Sequence, residues 1–535
     1  MIDIEKGASP SDTKLEDESS QKAEIIDLPD QHSVVRGLKP RHTQLIAIGG
    51  CIGTGLFVSS GQVLSRAGPA FLLLGYCIVD FFIWLIVTAI TEMGTYLPVQ
   101  GASISYYASR YVSSSFGFAI GWLYWYSWAI IVPTEITAAS LIIDYWTTEV
   151  NLHEFSFVVI KILTITGLLF FSFIYFCGGA PGKTYRGFHY WYDPGAINHY
   201  LVGGSGGYIA AFAAGVIGAV MPVVLSPEMI IMSVGEMQSP RRNLPTAAKK
   251  FVWRILVFYI GGVLAIGVIC PSNAPDLTSG SSNARSSPFV IAMKNAGIHG
   301  LDSVVNAAIL TSAWSAGNAL LYLSSGSLYS LAIIGNAPSI FKRCTKRGLP
   351  WAAVMASALF MPLAYLDCSS SSSTVFNVLL PSLPFNLTQI LTWFVVVRES
   401  YKHIRLHRVD RLFHYVSSVP QSINCPRSSR HSSLPFKAQP WGVWACIVFF
   451  TIPCLINGFD VFIADDFNAS DFLTAYLGIP IFLVVYFGHR IVHWKESWAH
   501  ASEDFDLVSG LQEVLDLETP APVVRTWGDR IKSWI

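Results

Sequence analysis

The sequence predicts an all-α polytopic membrane protein with a broken first spanning helix, and three observations predict it. Of 535 residues, 52% are hydrophobic and only 13% are charged, a balance outside the range of soluble domains. The apolar residues gather into runs of about twenty, the length a helix needs to cross a hydrocarbon core. The first run, 44–64, contains Gly49-Gly50-Cys51-Ile52-Gly53-Thr54-Gly55. Unwound backbone at membrane depth is tolerated only where it lines a cavity or is buried in protein, so this break predicts a binding site.

The break offers two opposite surfaces. A second half-helix starting near Thr54 presents the N–H groups of Thr54, Gly55 and Leu56 to a carboxylate, as helix N-termini do. The carbonyls of Gly49, Gly50 and Cys51 close the first half-helix and face an ammonium group. Together they complement a zwitterion. The competing reading of the same glycines is close helix packing of the G-x-x-x-G kind.

In chain order, residues 1–43 are polar and read as a disordered cytosolic tail. Residues 44–490 form the transmembrane domain, with apolar spans at 44–64, 70–92, 117–143, 155–177, 208–234, 252–270, 303–335, 350–366, 376–398, 440–458 and 470–489. The ninth is weak, because Pro381, Pro384, Asn386 and Gln389 resist lipid exposure. Residues 491–535 form a cytosolic tail in which Val523, Val524, Trp527, Ile531, Trp534 and Ile535 share one face of an amphipathic helix.

Loop charge tests this count. Arg36, Lys39 and Arg41 place the N-terminus inside, whereas the basic loops at 241–254, 342–347 and 398–437, carried back through eleven spans, place it outside. The two ends disagree by one crossing, and the odd stretch is the short polar segment around 147–155.

A net charge of zero gives no reason to expect a nucleic-acid partner. Nine cysteines without paired spacing predict neither a disulfide framework nor a metal site. No G-x-x-x-x-G-K-[ST] motif occurs, and the reading is a non-enzyme without cofactor whose partners are a small solute, protons and the bilayer. Five ionisable residues fall in apolar segments: Asp80, Glu92, Glu135, Lys161 and Glu228. Each costs roughly 2.5–3.5 kcal/mol at a bilayer centre on insertion scales, so each is a functional candidate.

Further motifs carry a resemblance. They are Arg41-His42, Ile52-Gly53-Thr54-Gly55-Leu56-Phe57, Glu92-Met93, Tyr96-Leu97-Pro98, Pro133-Thr134-Glu135, Gly235-Glu236 with Pro240-Arg241-Arg242-Asn243-Leu244-Pro245, Ser287-Pro288-Phe289, and Thr311 to Asn318. With these the chain resembles the fungal amino acid permeases of the amino acid–polyamine–organocation superfamily. The resemblance implies twelve helices, ten of them in two inverted repeats, with substrate between broken first and sixth helices. Against that pattern family helix 4 is missing near 147–155, leaving about eleven spans, and 381–431 is atypical. Both departures are compatible with wrong exon boundaries or with a real change.

By the same resemblance the substrate contacts are Cys51, Gly53, Thr54, Gly55, Pro222, Leu225, Ser226, Glu135 and Asn318. Glu228 and Lys161 serve proton coupling, although Ser226-Pro227 precede Glu228 where the family carries Gly-Thr. The structural alternatives are a carboxylate bonded to loose backbone at Glu228 and a snorkelling amine at Lys161. The implied activity is proton-coupled amino acid import by a multi-pass plasma-membrane protein. One proton supplies roughly 2.3 kcal/mol per 100 mV and about 1.4 kcal/mol per pH unit, so no nucleotide is needed. The alternatives are a transport-inactive amino acid sensor and a non-functional product of a defective gene model.

Overall fold

The computed structural model describes residues 55–143 apart from 97, 99, 100 and 102, then 154–224 apart from 180 and 182–184, 226–278, 287–368 apart from 299 and 347, and 441–498 apart from 464–466. Every regular element among them is helical. The N-terminal tail, the glycine-rich break up to Thr54, residue Leu225, the ninth predicted span, the atypical segment 381–431 and the amphipathic tail lie outside the described residues.

A π-helical turn, Gly55–Ser59, leads directly into α1, Ser60–Tyr96. Two predicted spans meet inside α1 at Gly68, whose φ of 78° leaves the helical region. Pro69 follows; it lacks an N–H and disfavours helical backbone in the residue before it. The freed groups at this kink are taken up by residues 196–198. Ala70 N–H donates to the Ala196 carbonyl at 2.9 Å, Asn198 N–H to the Ala67 carbonyl at 3.4 Å, and Asn198 Nδ2 to the Ser65 carbonyl at 2.8 Å. A Cβ on Gly68 would stand 2.8 Å from the Ala196 oxygen, so glycine is required by space as well as by φ.

The chain continues through α2 (Ile104–Tyr111), α3 (Ser114–Ile143), α4 (Glu154–Phe176), α5 (Gly204–Val224), α6 (Ser226–Val234) and α7 (Pro240–Ile269). After the short α8 (Pro275–Thr278) and α9 (Pro288–Asn295) come α10 (Leu301–Ile333) and α11 (Trp351–Ala358). Beyond the segment outside the description lie α12 (Trp441–Ile456), α13 (Phe459–Ile463), α14 (Ala469–Tyr476) and α15 (Gly478–Val492). The spans expected at 155–177, 303–335 and 440–458 match α4, α10 and α12 closely. The one expected at 470–489 instead divides into α14 and α15, because Pro480 has no N–H to offer the Tyr476 carbonyl. Among the described residues, Gly55–Thr95, Ser114–Ile136, Pro240–Ile269 and Leu301–Ile333 are long and apolar enough to cross a membrane.

α1 packs chiefly on α5 and α7, and α3 on α10. Where α1 crosses α5 the backbones touch: a Cβ on Gly75 would lie 2.5 Å from the Gly215 carbonyl oxygen, and one on Gly215 would lie 2.8 Å from that of Phe71. Small residues permit this approach, which replaces hydrophobic driving force with dispersion contact inside lipid.

Helix directions follow from the contacts. α3 is antiparallel to α10: Trp122 Nε1 donates to the Asn336 carbonyl beyond the end of α10 at 3.2 Å, while Glu135 faces Gly317 midway along it. α4 runs with α7: Leu169 lies beside Gly261, and Phe176 packs on Phe188, which packs on Trp191 beside Gly267. The basic stretch 241–254 falls in the first half of α7, and the stretch 342–347 follows the end of α10. α3 and α4 therefore both start on the side of the bundle that carries these basic stretches.

Candidate functional site

Gly55 begins the described chain and meets the end of α5. A Cβ there would lie 2.8 Å from the Pro222 side chain, so the opening turn and the α5–α6 junction are in direct contact. Leu56 packs against Gly262 of α7, and Phe57 meets Phe289 of α9 edge to face at 6.3 Å. The turn is thereby clamped on three sides. Its π-helical winding shifts the hydrogen-bond ladder, a feature that often accompanies function.

α5 stops at Val224 and α6 starts at Ser226, with residue 225 between them. Pro222 and Pro227 remove two backbone donors around this junction. The Tyr259 hydroxyl donates to the Pro222 carbonyl at 3.0 Å, taking one of its two lone pairs and leaving the other for a further donor.

Glu228 stands in the first turn of α6 and is fully buried. The Tyr124 hydroxyl of α3 donates to its Oε2. Tyr124 is in turn held edge-on by Trp128 at 5.5 Å, and both rings are fully buried. The first turn of a helix favours negative charge, so this carboxylate is oriented by one side-chain donor and by the α6 dipole. Lys161 of α4 is also fully buried, which removes the aqueous or interfacial outlet that snorkelling requires. Glu135 and Asn318 are partly buried on α3 and α10, with Glu135 beside Gly317. Trp314 is 57% exposed and turns away from the helix bundle.

The structure thus brings together Gly55, Pro222 and Glu228 around the α5–α6 junction, with Glu135 and Asn318 on the α3–α10 seam. Cys51, Gly53, Thr54 and Leu225 lie outside the described residues. Tyr124 and Tyr259 are additions that the sequence does not announce. Each supplies a buried hydroxyl to a partner distant in sequence, and spacing along the chain carries no signal for that.

At the turn between α6 and α7, burial pushes the Glu236 carboxyl up to about 7, with the nearby Tyr322 hydroxyl of α10 pulling the other way.

A family model described as amino acid permease matches residues 42–154 and 152–501. A proline-specific permease of Emericella nidulans is 38% identical, the alignment covering 99% of this chain and 98% of that protein. A probable proline-specific permease of Schizosaccharomyces pombe is 40% identical over 91% of this chain and 90% of the relative. The proline-specific permease of Saccharomyces cerevisiae is 38% identical over 90% of this chain and 79% of its own length. The first alignment runs over 569 positions against the 535 residues of this chain, so at least about 34 positions of that relative have no counterpart here. Among solved structures, a manganese transporter of Eremococcus coleocola superposes with a TM-score of 0.53 at 13% identity, covering 88% of this chain and 99% of that one. That likeness concerns the fold alone.

Proposed function

The chain belongs to the amino acid permease family, and from that premise we propose that it imports proline or a similarly small neutral amino acid, together with a proton, across a fungal plasma membrane. The observation that carries the reading is the contact of Gly55 with Pro222, which sets the opening turn of the first helix against the interruption between α5 and α6. In this scheme the N–H groups of Thr54 and Gly55 take the carboxylate, and the carbonyls of Cys51, Pro222 and Leu225 take the amine, while Gly53 keeps the approach to the backbone open. A secondary ammonium such as that of proline carries two N–H donors, and two such carbonyls satisfy it. Glu135 and Asn318 border the side-chain end.

Glu228 takes the coupling proton in this scheme. Protonation removes the charge that the Tyr124 hydroxyl meets, and so weakens the hold of α3 on α6. Lys161, fully buried on α4, a helix that packs on α7 and α10, supplies the positive charge that sodium-coupled transporters obtain from an ion.

Family helix 4 is missing on this reading. α3 and α4 rise in the same direction, yet only residues 144–153 separate them. Ten residues of helix reach about 15 Å, half of a hydrocarbon core. The break of the family match at 152–154 and the surplus of aligned positions support the same shortfall. Sequencing the messenger RNA across 144–157 tests it: a transcript encoding a further span there overturns the shortened form.

The transport reading is tested by expressing the protein in permease-deficient cells and measuring labelled proline, arginine and aspartate uptake with and without a protonophore. Proline accumulation abolished by the protonophore is expected. Absence of uptake from a correctly surface-located protein overturns the reading.

A further inference from the structure

Asp80 lies near the middle of the 69–96 arm of α1 and is only 4% exposed. Neither carboxyl oxygen has a hydrogen-bond partner among the described residues. It lines a small cavity of about 10 Å³ whose other walls are Ile83, Trp84, Val252, Ile255 and Leu256. The α7 wall, Val252 to Leu256, lies at the start of that helix's apolar span and beside Arg254, so the carboxyl faces the end of α7 that carries the basic stretch. Every wall but Asp80 is apolar except for the Trp84 ring nitrogen, and Arg254 of α7 is not among them. The volume is about what one water molecule requires.

Other ionisable groups nearby are few. On the same helix they are Tyr76, fully buried one turn away with its hydroxyl unpartnered, and Cys77. From α7 comes Tyr259, stacked on Tyr76 at 5.9 Å; from α12 comes Cys446, whose thiol is already directed at the Phe82 carbonyl. None of these is a cation. A carboxylate buried without a counter-ion or donor is far more costly than the neutral acid, whereas the acid with one water is tolerable.

We propose that Asp80 is an intramembrane proton-binding site, separate from the Glu228–Tyr124 pair, that takes up and releases one proton through a water seated in the α1–α7 cavity. On uptake the carboxylate gains a proton from hydronium and leaves water; on release water carries the proton away. The site is not isolated from the junction. Tyr76 stacks on Tyr259, Tyr259 is bonded to the Pro222 carbonyl, and Pro222 touches Gly55. Water entering beside ionised Asp80 therefore loosens the same α1–α7 seam that holds this stack.

The test needs no transport substrate, so its outcome is independent of the permease reading. Full-length protein in phosphatidylcholine vesicles is cycled between about pH 5 and pH 9 under infrared difference spectroscopy, alongside Asp80→Asn and Glu228→Gln. A reversible protonated-carboxyl C=O band that disappears in Asp80→Asn and survives in Glu228→Gln is expected. In parallel, dicyclohexylcarbodiimide, which couples protonated carboxyls in apolar surroundings, is expected to label the Asp80 peptide of the wild-type protein at the acidic end and not at the alkaline end. A carboxyl spectrum unchanged by Asp80→Asn overturns the proposal. So does labelling that is equal at both pH values, or absent at both. Should Asp80→Asn not fold, the wild-type labelling decides alone.

Discussion

Glu228 and Asp80 are both carboxylates buried inside the same helical bundle, yet their surroundings are opposite. Glu228 begins a helix and receives the Tyr124 hydroxyl. Asp80 sits in a helix interior, where every backbone N–H is already committed, and faces an apolar cavity. Burial alone therefore does not define a coupling residue. A donor and a helix N-terminus meet the carboxyl of Glu228, whereas no donor among the described residues meets that of Asp80.

The strongest way to break this contrast is Glu228→Gln. Accumulation is expected to fall to background while exchange of labelled against unlabelled substrate across vesicles persists; loss of both equally would assign Glu228 to binding instead. Next is Gly55→Leu, which drives a side chain into the Pro222 ring from a Cβ position only 2.8 Å away. Overpacking of this kind costs about 1–3 kcal/mol, and uptake should vanish with the protein still at the cell surface. Normal uptake in this variant would remove the junction from the site.

Tyr124→Phe makes Glu228 resemble Asp80 by deleting its donor. A loss of about 1–3 kcal/mol in thermal unfolding is expected, and an unchanged unfolding temperature would remove the Tyr124 hydroxyl from the hold on Glu228. Asp80→Leu is the converse and should stabilise the α1–α7 seam by about 1 kcal/mol, read as a raised unfolding temperature at alkaline pH. No gain there would mean that the carboxyl is already satisfied.

The smallest effect concerns Glu236, outside the membrane. Its folded value is about 7 against 4.5 for an unperturbed glutamate, so the folded form binds the proton more tightly. That contribution is complete below about pH 4.5 and is lost as pH rises through about 7. Glu236→Gln should therefore flatten the decline in unfolding temperature between pH 5 and pH 8, a shift of a few degrees at most.

The spanning helices were legible because lipid imposes a length and a composition on each, and α4, α10 and α12 lie where apolar runs alone put them. Intramembrane charge was legible for the same reason: Glu228, Lys161 and Asp80 stand out in apolar text. What surrounds each charge was not. Tyr124 is 104 residues from Glu228, and Tyr259 is 37 from Pro222. Nothing in local spacing distinguishes these tyrosines from those that merely pack.

By itself, then, the sequence determined that this chain is a helical membrane protein and which family it resembles, since hydropathy and motif are properties of consecutive residues. Tertiary structure decided that Gly55 abuts Pro222, that Glu228 has a donor, and that Asp80 has none among the described residues. Those facts depend on which helices become neighbours, and neighbours are fixed by close packing of small residues such as Gly75 against Gly215.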